Sequence, residues 1–317
     1  MAGSLSELEA LVRGELTREA PASAALLARA IRERHGESLV ATVFYGSCLR
    51  RNSDEGVLDF YAVVDRYRAA YGAGPLALAN ALLPPNVFYL EARGDAGVKR
   101  CKYAVLSRQA LERAARGAWL RPGVWARFAQ PVLAVSWRDE ESLDWLTRQV
   151  ARCVSTFAQT LLPVVSGSRA SRLEASEFWP RAFRETYASE TRPESLDSIR
   201  ALFEASPERY ERALALALPA RGAEARPERA ARSGGLAPAG ARSAVWRWRL
   251  RRPLAKAAYA AALFKTAFTF GDWLPYALWK LQRHSGREIV ATERQRRHPL
   301  VYGWPLLLRV LRERTLR

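Results

Sequence analysis

Two short motifs, twelve residues apart, hold the residues best suited to chemistry. Tyr45-Gly46-Ser47 ends an apolar run, and Asp59 lies within the next one, LDFYAVVD. A glycine lets the backbone approach a triphosphate closely, and Ser47 with the amides after it can bind phosphate oxygens. Asp59 can hold Mg²⁺, which neutralises charge on a triphosphate. The pattern indicates nucleotidyl transfer, although a β-turn followed by a strand with one exposed aspartate has the same spacing.

A second metal ligand is less easily placed. Many nucleotidyltransferases carry two carboxylates two residues apart on one strand face, but this position is Tyr61. Asp65 lies six residues after Asp59, an even offset, so both side chains lie on one face if the strand extends that far. Asp65 is therefore either a second metal ligand or the cap of the following helix. Glu91, on the next predicted strand, is a further candidate acid.

The elements that must position these residues follow from hydrophobic periodicity. Buried strands are predicted at SLVATVFYGS and VLDFYAVVD, a strand pair at VFYLEA and KRCKYAVLS, and another strand at PVLAVS. Helices are predicted over residues 4–35 and 66–83, at SRQALERAARG with a serine N-cap, and over 139–164, with further helices to about 217. The sequence thus predicts an α+β protein in which helices flank a mixed sheet and a helical domain follows.

The charge divides the chain into unequal parts. It has 317 residues, with 50 Lys and Arg against 32 Asp and Glu, a net charge of +18. Residues 1–217 contain 29 basic and 26 acidic side chains, whereas residues 218–317 contain 21 and 6. We expect a catalytic domain over residues 1–138, a helical domain over 139–217, a flexible Ala/Arg/Pro/Gly-rich linker over 218–243, and a basic aromatic tail over 244–317.

The tail combines aromatic and basic residues, as in VWRWRLRRPLAKAAYAAALFK. Interfacial helices have this composition, with tryptophan at the lipid headgroups and arginine or lysine on anionic lipid. The tail therefore predicts binding to an anionic membrane surface. Two alternatives are that its aromatic stripe packs on the body as core, or that it binds RNA. Nucleic acid is the less favoured partner, because the sequence shows no RRM-like or KH-like signature and no zinc finger.

Cysteine usage and hydropathy bear on location. The three cysteines, Cys48, Cys101 and Cys153, are few and odd in number, which favours a reducing compartment. They form no CxxC pair, so a structural zinc site is not expected. The N-terminus has no secretory signal, and no uncharged apolar run reaches the roughly 18–20 residues that span a bilayer. We expect a cytoplasmic protein that associates peripherally with the inner face of the cell membrane.

Several motifs resemble, in the same order, those of the mitochondrial-type phosphatidate cytidylyltransferases, the translocator-maintenance family of CDP-diacylglycerol synthases, and their bacterial relatives. The resemblance covers about residues 40–190. Tyr45-Gly46-Ser47 resembles the family's YGSG, and Leu58-Asp59-Phe60 with Val64-Asp65 resembles its LDF…VD. Asn86-Val87-Phe88-Tyr89 resembles its G-V-Y-aromatic strand, and Lys102-Tyr103-Ala104-Val105 resembles its KYGV. Trp125-Ala126-Arg127-Phe128 through Gln130-Pro131-Val132 resembles its GRL-x-KPV, and Phe183-Arg184-Glu185-Thr186-Tyr187 resembles its FRELY. Cys48 and Ala104 replace two glycines of the pattern.

The resemblance implies a nucleotidyltransferase-fold core that uses Mg²⁺ and transfers CMP from CTP to phosphatidic acid. Ser47, Asp59 and Lys102 are then the catalytic candidates, and Tyr45, Gly46, Ser47 and Arg127 the nucleotide-binding ones. Lys102 and Arg127 each have the same structural alternative, that of a solvated residue with no ligand contact. Two alternative functions are a soluble nucleotidyltransferase acting on RNA or a small alcohol, and a catalytically inactive lipid-binding scaffold.

Overall fold

The computed structural model describes residues 2–95, 97–166, 173–191, 194–218 and 239–269. Its centre is a five-stranded mixed sheet, with strands β1 (Leu39–Tyr45), β2 (Val57–Val64), β3 (Asn86–Gly94), β4 (Gly97–Ser107) and β5 (Leu133–Trp137) in the order β3-β4-β2-β1-β5. β2 and β4 run parallel, and the other neighbouring pairs are antiparallel. The predicted α+β class, a mixed sheet flanked by helices, is confirmed, and all five predicted strands are present.

Helices surround the sheet and form the second half of the described chain. They are α1 (Ala2–Leu16), α2 (Ala22–His35), α3 (Ser47–Arg50), α4 (Tyr67–Tyr71), α5 (Pro75–Leu82), α6 (Arg108–Ala115), α7 (Gly123–Phe128), α8 (Glu140–Ser166), α9 (Ala175–Tyr187), α10 (Leu196–Glu204), α11 (Pro207–Ala217) and α12 (Ala239–Thr269).

Local sequence explains where the predicted helices start and divide. The single helix expected over residues 4–35 is two, because Pro21 cannot continue α1 and instead precedes α2. Residues 66–83 likewise form α4 and α5, separated by a turn that contains Gly72 and Gly74. The predicted serine cap is present: Ser107 Oγ accepts a hydrogen bond from the Ala110 amide at 3.2 Å.

The sheet separates two hydrophobic cores, because successive side chains of a strand point to opposite faces. One face, which includes Phe60 and Tyr103, packs on α2 through Leu27 and Ile31. The other face, which includes Tyr61, packs on α1, α6, α7, α8, α9 and α11. The second face also bears the polar residues singled out by the sequence, so the helical layer must form the walls of any site there.

Helix α12 lies against this body and begins inside the region predicted to be a linker. Residues 239–243 are helical, while residues 219–238 of that linker and residues 270–317 of the predicted tail lie outside the described residues. Trp248, Ala255 and Ala262, spaced seven apart, are buried against the body. The helix therefore packs through one stripe that contains the aromatic residue Trp248, whereas Trp246 and Phe264 are 63% and 69% exposed. Across the described ranges, no helix is both long and apolar enough to cross a membrane.

Candidate functional site

Strand register brings the main candidate residues into one row. Tyr45 on β1 lies opposite Asp59 on β2, and Asp59 lies opposite Lys102 on β4. The row is at the end of β1, where the chain turns through Gly46 into the short helix α3, which begins at Ser47. The structure thus brings together residues that are up to 57 positions apart in the sequence (102 − 45).

A cleft of about 820 Å³ opens over this row. Its floor is the sheet, and its walls come from α3, the segment before α7, the ends of α9 and α10, and α12. Six predicted site residues line it: Tyr45, Gly46, Ser47, Asp59, Lys102 and Arg127. Asp65 and the further candidate Glu91 do not. The size suits a nucleotide-sized ligand, since small-molecule sites measure roughly 300–1,000 Å³.

Asp59 lies among positive charges in this central cleft. Its Oδ1 is 3.8 Å from Lys102 Nζ, and each side chain is about one-third exposed, 32% for Asp59 and 34% for Lys102. Burial raises the pKa of Asp59, and the nearby Lys102, Arg127 and Arg50 charges only partly offset this effect. A cation bound at Asp59 would lower the pKa of Asp59 again and hold the carboxylate in its charged form.

Gly46 is required by its backbone conformation and by Asp59. Its φ is +93°, a region that side chains rarely tolerate, and a Cβ added there would lie 3.2 Å from Asp59 Oδ2. The glycine therefore lets the β1–α3 turn pass directly beside the carboxylate. Ser47 follows at the first position of α3, where helix amides have no intrahelical acceptor.

Aromatic rings form the wall beside the carboxylate. The Tyr45 and Tyr61 rings stack at 4.7 Å between centroids, and Tyr61 stacks in turn on Phe128 at 4.9 Å. Burial, followed by the neighbouring Tyr61 and Asp59, raises the pKa of Tyr45 well above its usual range. Both hydroxyls are neutral at physiological pH, so they act as hydrogen-bonding groups rather than as bases.

Arg127 is held by a carboxylate that the sequence did not indicate. Its two terminal nitrogens donate to the two oxygens of Glu190, each at 2.9 Å, and Nη1 also donates to the Gly123 carbonyl at 3.1 Å. Burial opposes the charge of Arg127, but Glu190 and the nearby tyrosines raise the pKa of Arg127 above its usual value. Arg127 thus joins α7 to the segment after α9 through its ion pair with Glu190, which differs from the solvated alternative, and it still lines the cleft.

Asp65 does not join Asp59, so its predicted role as a second ligand for the same ion conflicts with its position. β2 ends at Val64, and six residues of extended strand separate the two carboxylates by about 20 Å. Asp65 instead accepts hydrogen bonds from Arg138 at 2.6 and 3.3 Å and lies 4.0 Å from Arg108. It does not cap the next helix either, because the N-cap of α4 is Arg66. Its ion pair with Arg138 ties the end of β2 to the segment after β5.

Two other acidic residues in the motifs of the sequence, Glu91 and Glu185, also have structural partners. Glu91 Oε1 accepts from Tyr89 Oη at 2.7 Å and from Arg100 Nε at 2.9 Å. Glu185, in the FRETY motif, accepts from Trp248 Nε1 at 2.9 Å and lies 3.4 Å from Arg252. Glu185 therefore fastens α12 to α9, a connection between two segments that no local pattern predicts.

Several cleft residues could not be predicted from the sequence because their partners are distant in the chain. Tyr259 accepts a hydrogen bond from the Gly123 amide at 2.7 Å across 136 positions. Arg121 lines the same wall with only 8% of its surface exposed. The available signals were the Arg-Pro-Gly run at 121–123, typical of a turn before a helix, and a lone tyrosine within a basic helix.

The donor set fits Mg²⁺ only as a shared site. Within the described part of the chain, no group of three His, Cys, Asp or Glu side chains could hold a metal by itself. Mg²⁺ is often bound through one or two carboxylates, with waters and substrate phosphates completing its coordination. Asp59, facing a cleft with Ser47 beside it, fits that mode, in which the nucleotide supplies the remaining ligands.

Comparison with known proteins identified no family for this chain. No protein-family model matches the chain, and a search of the curated proteins gave no match either.

Proposed function

We propose that this protein is a Mg²⁺-dependent nucleotidyltransferase that transfers CMP from CTP to phosphatidic acid at a membrane surface, giving CDP-diacylglycerol and pyrophosphate. The observation that carries the proposal is the convergence of Tyr45-Gly46-Ser47, Asp59 and Lys102 on one end of the sheet, inside a cleft of nucleotide size. These are residues for which the resemblance implies catalytic or nucleotide-binding roles. Their convergence also supports the nucleotidyltransferase identity of the fold.

Each side chain has a defined task in this reaction. Asp59 would hold Mg²⁺, whose charge would offset that of the triphosphate and of the departing pyrophosphate. Lys102, with Arg50 and Arg51 on the same cleft, supplies positive charge for phosphate oxygens. Gly46 lets the backbone approach them. These groups align the α-phosphate of CTP and stabilise the charge that develops during transfer.

No strong general base is required for this chemistry. A phosphatidic acid oxygen is already anionic near neutral pH, so it attacks the α-phosphorus directly. The bond from that phosphorus to the β-phosphate oxygen breaks, and pyrophosphate leaves with the electron pair. The raised pKa of Tyr45 and that of Tyr61, about 12, agree with a site that needs no proton acceptor.

Helix α12 supports a membrane surface as the place of reaction. Trp246, Leu250 and Leu254, spaced four apart and therefore on one helix face, are 63%, 58% and 58% exposed. The basic side chains of Arg247 and Arg249 are exposed beside them. Exposed tryptophan and leucine flanked by arginine is typical of a helix that lies in an anionic membrane interface. The cleft-lining residues of α12 would then bring the membrane and the nucleotide site together.

The test uses vesicles that contain phosphatidic acid, radiolabelled CTP and Mg²⁺, with the lipid product resolved by chromatography. Asp59→Asn should lower turnover at least about a hundredfold, the scale of losing one group that stabilises transition-state charge. Asp65→Asn is the matched control: it makes the same chemical change at the other end of β2 and should keep turnover near wild type. An Asp59→Asn variant that retains turnover, or an Asp65→Asn variant that loses it with the fold intact, would refute the assignment.

One observation favours a second candidate, a catalytically inactive lipid-binding scaffold. Asp59 is the only predicted metal-ligand carboxylate that the described structure places on the cleft floor, and Cys48 replaces a glycine in the phosphate-binding motif. Calorimetric titration with Mg²⁺ and CTP separates the two. Saturable binding that Asp59→Asn removes supports the enzyme, and its absence in the wild-type protein, with vesicle binding retained, supports the scaffold.

A further inference from the structure

Arg121 is a buried cation without a polar partner in the described structure. Only 8% of its surface is exposed, and it lines the central cleft beside α12. Its guanidinium carbon lies 5.7 Å from the centroid of the Trp119 ring and 5.2 Å from that of the Tyr259 ring. Among the described residues it makes no hydrogen bond and no ion pair, whereas its neighbour Arg127 is fully paired with Glu190.

This arrangement is unfavourable for the protein alone. Burying a charge costs free energy unless it is paired, and two aromatic rings compensate only part of that cost. Arginine has five N–H donors and no acceptor, and an aromatic ring face does not replace a carboxylate or phosphate oxygen. Burial accordingly lowers the pKa of Arg121, although Tyr259 partly offsets the change.

The surroundings of Arg121 hold it in this place. Arg251 of α12 donates hydrogen bonds to the carbonyls of Gly117 at 3.1 Å and Leu120 at 2.9 Å, and to that of Trp119. Tyr259 accepts from the Gly123 amide. Helix α12 therefore fastens the segment before α7 on both sides of Arg121, and its Tyr259 ring contacts the guanidinium itself.

Arg121 is separate from the cluster at Asp59. The charges that affect the pKa of Asp59 are those of Lys102, Arg127 and Arg50, whereas Arg121 is affected by Tyr259, Tyr61, Glu190 and Arg127. Arg127 thus lies near both. The cleft has one group of positive charges at Asp59 for a triphosphate, and a second positive charge at the α12 wall.

We propose that Arg121 forms a second anion subsite, which binds the phosphomonoester of the acceptor substrate and presents it to the nucleotide. Bidentate hydrogen bonds from a guanidinium are well matched to a phosphate group. The inference rests on the proposed function for the identity of the acceptor as phosphatidic acid, but the phosphomonoester subsite itself is testable without turnover.

The experiment measures binding by calorimetry with three probes: inorganic phosphate, a soluble short-chain phosphatidic acid, and CTP with Mg²⁺. The variants are Arg121→Gln and Arg121→Lys, with Arg116→Gln as the matched control, an exposed arginine at the end of α6 outside the cleft. Arg121→Gln should weaken binding of both inorganic phosphate and short-chain phosphatidic acid at least about tenfold, the scale of one charge-assisted hydrogen bond. Arg121→Lys should bind with intermediate affinity, and Arg116→Gln like wild type.

Thermal unfolding keeps this test separate from a structural role. If Arg121 serves a ligand, removing its unpaired charge should leave the melting temperature of Arg121→Gln equal to or above that of wild type. A lower melting temperature together with unchanged phosphate binding would assign Arg121 to the fold and overturn the proposal. Loss of CTP affinity with phosphatidic acid binding unchanged would overturn the assignment to the acceptor.

The outcomes also distinguish this inference from the proposed function. A wild-type protein that binds inorganic phosphate through Arg121 but neither binds CTP nor transfers CMP would keep the subsite and reject the enzyme. If the wild-type protein transfers CMP and the Arg121→Gln variant has the same KM for the acceptor, the proposed enzyme activity stands and the proposed subsite is rejected. A protein that binds neither inorganic phosphate nor short-chain phosphatidic acid rejects the subsite.

Discussion

The burial of His35 predicts a loss of stability in acid whose size can be calculated. It ends α2 on the face of the sheet opposite the central cleft, and its ring lies edge-on to Tyr71 and Tyr103 with centroids 6.0 and 5.7 Å apart. The residue is 7% exposed, and neither ring nitrogen has a hydrogen-bond partner among the described residues. Burial, with a smaller effect of Arg34, lowers the pKa of His35 from 6.5 to about 4.

The direction and size of the effect follow from that difference in pKa. Below pH 6.5 the unfolded chain binds a proton at His35, whereas the folded chain binds it only below about pH 4. The free energy of unfolding therefore falls as the pH falls and levels off below about pH 4. With about 1.4 kcal/mol per pKa unit, the loss is about 2 kcal/mol at pH 5 and approaches about 3 kcal/mol below pH 4. Above pH 7 the residue contributes no pH dependence.

Urea unfolding, followed by tryptophan fluorescence at pH 7.5, 6 and 5, measures this loss. His35→Phe is the comparison, because it keeps an aromatic ring between the two tyrosines and removes the titrating group. Any packing cost of the larger ring is independent of pH, so it cancels when the change in unfolding free energy with pH is compared between the two proteins. Wild type should lose about 2 kcal/mol more than the variant between pH 7.5 and 5. If the unfolding free energy of wild type and variant changes equally with pH, His35 is protonated within the fold, which would refute the argument from burial.

Two glycines that form the cleft give the remaining predictions. Gly46→Ala places a side chain at a residue with positive φ and its methyl group 3.2 Å from Asp59 Oδ2. Turnover should therefore fall at least tenfold, and the free energy of unfolding should fall by about 1–2 kcal/mol. Turnover equal to that of wild type would show that the β1–α3 turn need not approach the carboxylate. Gly123→Ala would overlap Tyr259 Oη and the Arg127 guanidinium, so α12 should become more sensitive to limited proteolysis. Unchanged cleavage within residues 239–269 would contradict the contact between Tyr259 and Gly123.

Much of the sheet was predictable because its signals are local. Apolar runs such as LVATVFY and VLDFYAVV are strands on length and composition alone, and the Ser107 cap follows from its position before a helical pattern. The division of the first helix at Pro21 was also readable, since proline removes the hydrogen bond that would continue the helix.

The site was only partly predictable, since strand order is not a local property. The parallel pairing of β2 with β4 places Lys102 beside Asp59, and nothing near either residue specifies it. Asp65 shows a second limit, because its even offset from Asp59 ignored about 20 Å of length along the strand, and β2 ends before Asp65. Partners that are far apart in the sequence, such as Glu190 for Arg127, could not be predicted for the same reason.

The positive charge of the chain acquires two distinct roles in α12. Arg251 points inward and holds the segment that carries Arg121, while Arg247 and Arg249 are exposed beside Trp246. A helix with one face on the body and the opposite apolar face exposed can lie on a membrane without leaving the cleft. Because Tyr259 of the same helix contacts Arg121, a lipid phosphate drawn from that membrane would meet the second anion subsite first. If the proposed reaction takes place, α12 would deliver the acceptor, and the sheet row at Asp59 would hold the nucleotide.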